Sequence, residues 1–429
     1  MLNAISQGES AMPVTTSESV AAPITEFKFL DGVKVIDFTQ FEAGTTCTEA
    51  LAWVGAEVVK VENPKLGDPG RRLRAGKPDD DPYYFHVFNA NKKSIAVNLK
   101  SEKGLFLIKD MIREADVMVE NFAPGAIERL GLSYEVVRQI NPGIIYAQIK
   151  GFGEGSPYEK NLSFDMIAQA AGGTFSVTGE PDGPPTRPGI SMGDTGTGMV
   201  MAFTIASALY KRKETGEGHC LQVAMQDAVM HYMRTNFATT GRTGKAAQRA
   251  GNKIANSNSA PKGLFPCAPG GPNDYVYIST SAANPQHWNR LLKVVGREDL
   301  IGDERYITPR DRAAREPEVD EIVSAWTRTQ SKFDAMELIG REGIPIGPVL
   351  DTMELNNDLT FERRGIMQNM VHAGREPFKM PTWPVRVDGK TTRIKPSPGL
   401  GEHTEQVLCD WLELDEESIG ELKNDRAVG

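Results

Sequence analysis

Cysteine is scarce and scattered: four in 429 residues, Cys47, Cys220, Cys267 and Cys409, with no CxxC or Cys/His spacing among them. That pattern argues against a zinc site or a disulfide framework and reads as reduced, mostly buried thiols. Long apolar runs are also missing. The longest is about a dozen residues, short of the ~18 that suggest a membrane span. Basic residues are outnumbered, 48 Lys and Arg against 57 Asp and Glu, for a net charge of −9. Such a balance argues against nucleic acid or an anionic membrane as partner, though not against a local basic pocket. Residues 1 to about 25 contain no Lys or Arg and are rich in Ser, Thr, Ala and Pro. Neither a secretory nor a mitochondrial leader has that composition; a disordered tail on a cytoplasmic protein is expected.

Hydrophobic residues at 40% and charged residues at 24% are ordinary for a globular chain long enough for two or three domains. From Phe29 the pattern alternates. Val33–Phe38 reads as a strand, Thr46–Val54 as a helix and Glu57–Val61 as a strand. Strands at Ser94–Leu99, Asp116–Glu120 and Ile144–Ile149 follow, with a helix capped by Ser101 and running through Ile112 between the first two. Regular strand–helix alternation predicts a Rossmann-like, doubly wound α/β domain. The expected organisation is a large domain over 26–225, a helix and linker over 226–260, a smaller α+β domain over 261–340, and a return segment over 341–429 that completes the large domain. The first strand's loop, Thr39–Gly44, lacks the GxGxxG spacing that seats a dinucleotide, so an NAD-dependent enzyme is disfavoured.

The stretch Gly189–Gly198 places four glycines around a single carboxylate, Asp194, and an apolar helical run, Met199–Tyr210, follows. Glycine permits positive φ and close approach of backbone N–H groups. Locally, Asp194 or Thr195 reads as a helix cap. The alternative is a nucleophilic carboxylate beside donors for an oxyanion. A second cluster is basic: Arg71, Arg72, Arg74, Lys77, Lys92, Lys93, Lys100 and Arg129 all fall in the first α/β domain. It reads equally as a solvated face or as an anion site at the carboxyl ends of parallel strands.

Motifs in a shared order then run along most of the chain: Leu30–Asp37, Gly55–Glu62, Asn89–Ile95, Val117–Gly125, Asp182–Pro185, Gly193-Asp194 and Gly399–Thr404. In that order they resemble the family III CoA-transferases, the group of formyl-CoA and carnitine CoA-transferases. The resemblance implies an interlocked homodimer of large and small domains, acting on acyl-CoA and a carboxylic acid, with coenzyme A as the carried group and no metal. It places the nucleophile on Asp194, which would form an aspartyl–acyl mixed anhydride, and passes the cap role to Thr195 or Thr197. It places CoA contacts at Glu42, Ala43, Val97, Lys100, Arg129 and Phe164. Asp165, Gly193 and Gly196 would support the site or its oxyanion.

Three departures stand out. Ala123 occupies the position where many members carry Arg, Glu42 the position where formyl-CoA transferases have Gln, and the glycine tetrad those enzymes close over the site is not visible between Asn252 and Tyr275. Oxalate–formate exchange is therefore not assigned. CoA-thioester racemases share the fold and are the alternative reading, but they use a His–Asp pair where this chain has Phe164-Asp165, which removes one acid/base group from a two-base proton exchange.

Overall fold

The structure is a computed structural model that describes residues 21–73, 81–255, 257–372 and 375–429. The expected tail lies mostly outside these residues, but its end does not: Ile24–Thr25 pairs in parallel with Thr391–Thr392.

Six strands, β1 (Lys34–Asp37), β2 (Glu57–Glu62), β3 (Lys93–Ala96), β4 (Val117–Glu120), β5 (Ile145–Lys150) and β6 (His219–Ala224), form one sheet. All pairs are parallel and the order is β3-β2-β1-β4-β5-β6, the doubly wound order read from the strand–helix alternation. A parallel sheet must be covered on both faces, so its strands are apolar on both sides. Successive residues point to opposite faces. Val35, Val58 and Val117 therefore join one core with Ala50, Met201 and Ile205, whereas Ile36, Val59 and Met118 join another with Ile108, Met111 and Trp411.

The helices follow from the same logic. α1 (Ala43–Trp53) is buried along its whole length, and begins three residues before the expected Thr46. α2 (Glu102–Glu114) is amphipathic, burying Leu107, Ile108, Met111 and Ile112; Ser101 caps it as expected, accepting the Gly104 N–H at 3.0 Å. α3 (Asp165–Ala171), α4 (Thr197–Thr215) and α5 (Met225–Tyr232) complete the surroundings of the site. These elements belong to a unit made of Ala21–Ser176, Thr186–Lys245 and Glu362–Gly429.

The second unit contains Val177–Pro185 and Ala246–Phe361. Its three strands, β7 (Lys262–Pro266), β8 (Tyr275–Ser279) and β9 (Ile346–Pro348), pair antiparallel in the order β9-β8-β7. They pack on helices around Phe265, Trp288, Leu291, Val323 and Ile339. The unit runs past residue 340 because β9 hydrogen-bonds to β8, placing Ile346 opposite Ile278. That pairing joins residues 68 apart in sequence, so local pattern does not reveal it.

Candidate active site

β1 and β4 are neighbours whose connections leave in opposite directions, which opens a crevice at their carboxyl ends. Asn121, just past β4, bridges it. Its Oδ1 accepts the Gln40 N–H at 2.8 Å and its Nδ2 donates to the Gln40 carbonyl at 2.9 Å. The next residue, Phe41, is held at φ +60°, a left-handed conformation that costs a bulky residue about 1–3 kcal/mol and needs its surroundings to enforce it. Besides the Gln40 clamp, the Phe41 N–H is held by Asp68 Oδ1 at 3.3 Å. Asp68 is in turn fixed by buried Lys60, whose Nζ lies 2.8 Å from Asp68 Oδ2 and donates to the Thr39 carbonyl at 2.7 Å. Phe41 then meets Phe164 edge-on, with ring centroids 5.9 Å apart.

Asp194 enters this crevice from the other side. Residues Met192–Gly196 form a π-helical turn that runs directly into α4, so most of the expected glycine loop is helix. None of Gly189, Gly193, Gly196 or Gly198 has positive φ. The three that are helical, Gly193, Gly196 and Gly198, serve close packing instead. A Cβ on Gly198 would lie 2.5 Å from the Ala43 carbonyl, one on Gly193 2.8 Å from the Asp165 carbonyl, and one on Gly196 2.7 Å from the Tyr232 ring. Neither threonine caps a helix: Thr195 Oγ1 donates to Glu42 Oε1 at 2.9 Å, and Thr197 Oγ1 donates to the Gly193 carbonyl at 2.5 Å. The Gly193 N–H donates to Asp165 Oδ1 at 2.9 Å, which corrects the expectation of a free oxyanion donor there.

Asp165, at the start of α3, is thus a clamp. It also accepts the Asp194 N–H at 3.3 Å and both its oxygens take Gln169 Nε2, at 3.0 and 2.8 Å. The result is three carboxylates in one place. Burial pushes the Asp194 carboxyl up to about 7, with the charges of Glu42 and Asp165 adding to it. Burial also pushes Glu42 up; hydrogen bonds from Thr195 and Ser191 oppose this, and Asp165 adds to it. Tyr84 feels the same charges, its hydroxyl raised first by burial and then by Glu42, Asp194 and Asp68.

A cavity of about 230 Å³ opens on Asp194, and Glu42, Ala43, Phe41, Phe164 and Met225 are among its walls. A neighbouring cavity of about 160 Å³ is lined by Val97, Lys100, Lys60 and Leu130, and Gln40 and Phe122 line both. The structure therefore brings Glu42, Ala43 and Phe164 to Asp194, and Val97 with Lys100 to the adjoining space. Arg129 is not among the lining residues of either cavity; its Nη1 would be 2.8 Å from a Cβ on Gly125, which has φ +77°.

The basic cluster is largely spent elsewhere. Arg71 forms a bidentate pair with Glu62, 2.7 Å on each side, and Lys92 is buried against Asp37 at 3.1 Å. Arg72 donates to the Leu66 carbonyl at 2.7 Å and Lys93 to Glu57 at 2.6 Å. Arg74 and Lys77 lie outside the described residues. Asn121, Lys60 and Tyr84 were not singled out by sequence reasoning; Asn121 and Lys60 fall inside quoted motifs, but neither motif shows what the side chain holds. Among the described residues no His, Cys, Asp and Glu group is arranged to hold a metal ion, and no helix is long and apolar enough to cross a membrane.

Comparisons with known proteins give the family. Residues 30–404 match the model of CoA-transferase family III. The chain is 38% identical over 414 residues to a formyl-CoA:oxalate CoA-transferase of Streptomyces coelicolor, covering 94% of this chain and 99% of that protein. It is 36% identical over 420 residues to one of Rhodopseudomonas palustris, covering 94% and 97%. Among solved structures it is similar to a CaiB/BaiF family protein from Brucella suis, with a TM-score of 0.78 and 29% identity over 90% of this chain and 100% of that one. An enzyme with this fold and this chain-long match belongs to the family III CoA-transferases.

Proposed function

We propose that the chain moves CoA between carboxylic acids through a mixed anhydride on Asp194. One observation carries the reading: Asp194 is a half-buried carboxylate that opens onto the cavity at the sheet's switch point, raised to about 7 by desolvation and by the charges of Glu42 and Asp165. A carboxylate stripped of water is a stronger nucleophile than a solvated one. In its ionised form it attacks the thioester carbonyl of an acyl-CoA. The C–S bond breaks, CoA leaves as thiolate, and the acyl group is joined to Asp194. An incoming carboxylate attacks this anhydride and releases the first acid, leaving its own acyl group on Asp194. The thiolate then takes that acyl group and restores the aspartate. Asp165 holds the backbone of Gly193 and Asp194 in place throughout, and the Phe41–Phe164 pair covers the apolar wall that keeps water from the anhydride.

In this reading the CoA chain passes from the Lys100 cavity to the Asp194 cavity across their shared walls Gln40 and Phe122. The working form is the interlocked homodimer. α4 supports a partner surface there, since Phe203 is 76% and Tyr210 73% exposed. The relatives named for formyl-CoA and oxalate support a reading in which the substrates are small acids. The test is exchange between acyl-CoAs and free acids, followed by mass spectrometry in deuterated water. Asp194→Ala is expected to abolish exchange and to keep CoA binding. Retained turnover in that variant removes Asp194 as nucleophile, and deuterium uptake at the α-carbon without acyl exchange favours proton-exchange chemistry instead.

A further inference from the structure

Which acids the pocket accepts is legible in its charges. The cavity over Asp194 has three charged residues in its lining, Glu42, Asp194 and Lys150. Lys150 is already committed: it lies 2.7 Å from Glu120 Oε1 and donates to Glu120 Oε2 at 2.8 Å and to the Phe122 carbonyl at 2.9 Å. Its charge is thus already offset by Glu120. Arg187, the cation nearest to Asp165 in the ion-pair pattern, is drawn to Asp165 at 3.7 Å. On the opposite side Glu42 is buried, with 8% exposure, and keeps its carboxylate in the pocket by accepting from Thr195 Oγ1 at 2.9 Å. The rest of the wall is uncharged: Phe41, Leu162, Phe164 and Met225 supply apolar surface, and Asn161 and Ser163 are among its polar residues.

We infer that the acceptor acid is a small monocarboxylic acid, and that Glu42 is the residue that turns dicarboxylates away. This inference rests on the transfer reading above. The carboxylate of the acceptor that reacts loses its charge as it enters the anhydride, whichever acid it belongs to. A second carboxylate on the same acid keeps its charge. It would have to lie in a pocket of about 230 Å³ beside Glu42, where the one cation among the described lining residues, Lys150, is already paired with Glu120. Like charges placed together in a desolvated site are strongly disfavoured. Specificity of this kind arises from a repulsive element rather than from extra contacts to the preferred acid.

The test uses the full-length protein with acetyl-CoA as donor and isotope-labelled acids, in pairs that differ by a carboxylate in place of a hydrogen: formate and oxalate, acetate and malonate, propionate and succinate. Because like-charge juxtaposition costs several kcal/mol, kcat/KM is expected to favour the monocarboxylate in each pair by at least about tenfold. Glu42→Gln is expected to narrow the ratio severalfold, chiefly through KM for the dicarboxylate. A dicarboxylate used faster than its partner by the native protein overturns the inference and leaves transfer intact. So does a ratio that Glu42→Gln leaves unchanged while the variant still turns over. Exchange with none of the six acids, or exchange surviving Asp194→Ala, overturns the transfer reading itself and this inference with it.

Discussion

Thr195 donates its hydroxyl to Glu42 at 2.9 Å, tying the residue before the first helix to the turn that carries Asp194. The two are 153 positions apart in sequence, yet the bond sets how much negative charge Asp194 feels.

The first consequence concerns pH. In the proposed transfer Asp194 attacks as the carboxylate, so exchange is expected to rise with pH through about 7, where burial and its acidic neighbours hold its proton. Glu42→Gln removes the neighbouring charge and is expected to move that midpoint to lower pH. Thr195→Val moves it the same way by less, because Glu42 without its hydrogen bond holds its own proton more firmly. Profiles of kcat/KM against pH check both; a midpoint that neither variant moves would show that these carboxylates do not interact.

A second prediction concerns the glycines. Gly198→Ala would put a methyl 2.5 Å from the Ala43 carbonyl and 2.9 Å from Thr46 Cβ, forcing α1 and α4 apart. Overpacking of this sort costs about 1–3 kcal/mol, and alanine's better helix propensity, about 1 kcal/mol, offsets only part of it. Gly241, in the helix Arg234–Thr243 with nothing within 4 Å of its missing Cβ, is the control. There the same change is expected to be neutral or to stabilise by up to about 1 kcal/mol. Urea denaturation of the two variants measures the contrast, and equal effects would contradict it.

A third concerns Glu49, which is buried in α1, accepts the Ala90 N–H at 2.9 Å, and is pushed up to about 8 by burial. Its folded value lies above the ordinary 4.5, so between those limits the folded protein keeps a proton that the unfolded chain has lost. Stability is then fully present below about 4.5 and is lost as pH rises toward 8, at up to about 1.4 kcal/mol per pH unit. Glu49→Gln keeps the acceptor oxygen and removes the ionisation. Its advantage over the native protein should therefore grow from pH 5 to 8 in thermal melts. A constant difference across that range would rule out the linkage.

The sequence by itself determined the alternation of buried strands and amphipathic helices, because period and capping are local: Ser101, the apolar positions of α2 and the two-faced strands are all readable in a window of a few residues. It also singled out Asp194, since a lone carboxylate among glycines within a chain-long order of motifs is a pattern of sequence alone. What the sequence could not carry was the purpose of those glycines, the commitment of Arg71 to Glu62, and the clamp between Asn121 and Gln40. Each depends on a partner on another element, and for Asn121 that partner is 81 positions away. The same holds for Lys150, whose charge is legible but whose engagement by Glu120 is not. Tertiary structure decided these matters for a physical reason. A buried donor, acceptor or charge has to be matched where it stands, and which group stands opposite is set by how the sheet is wound.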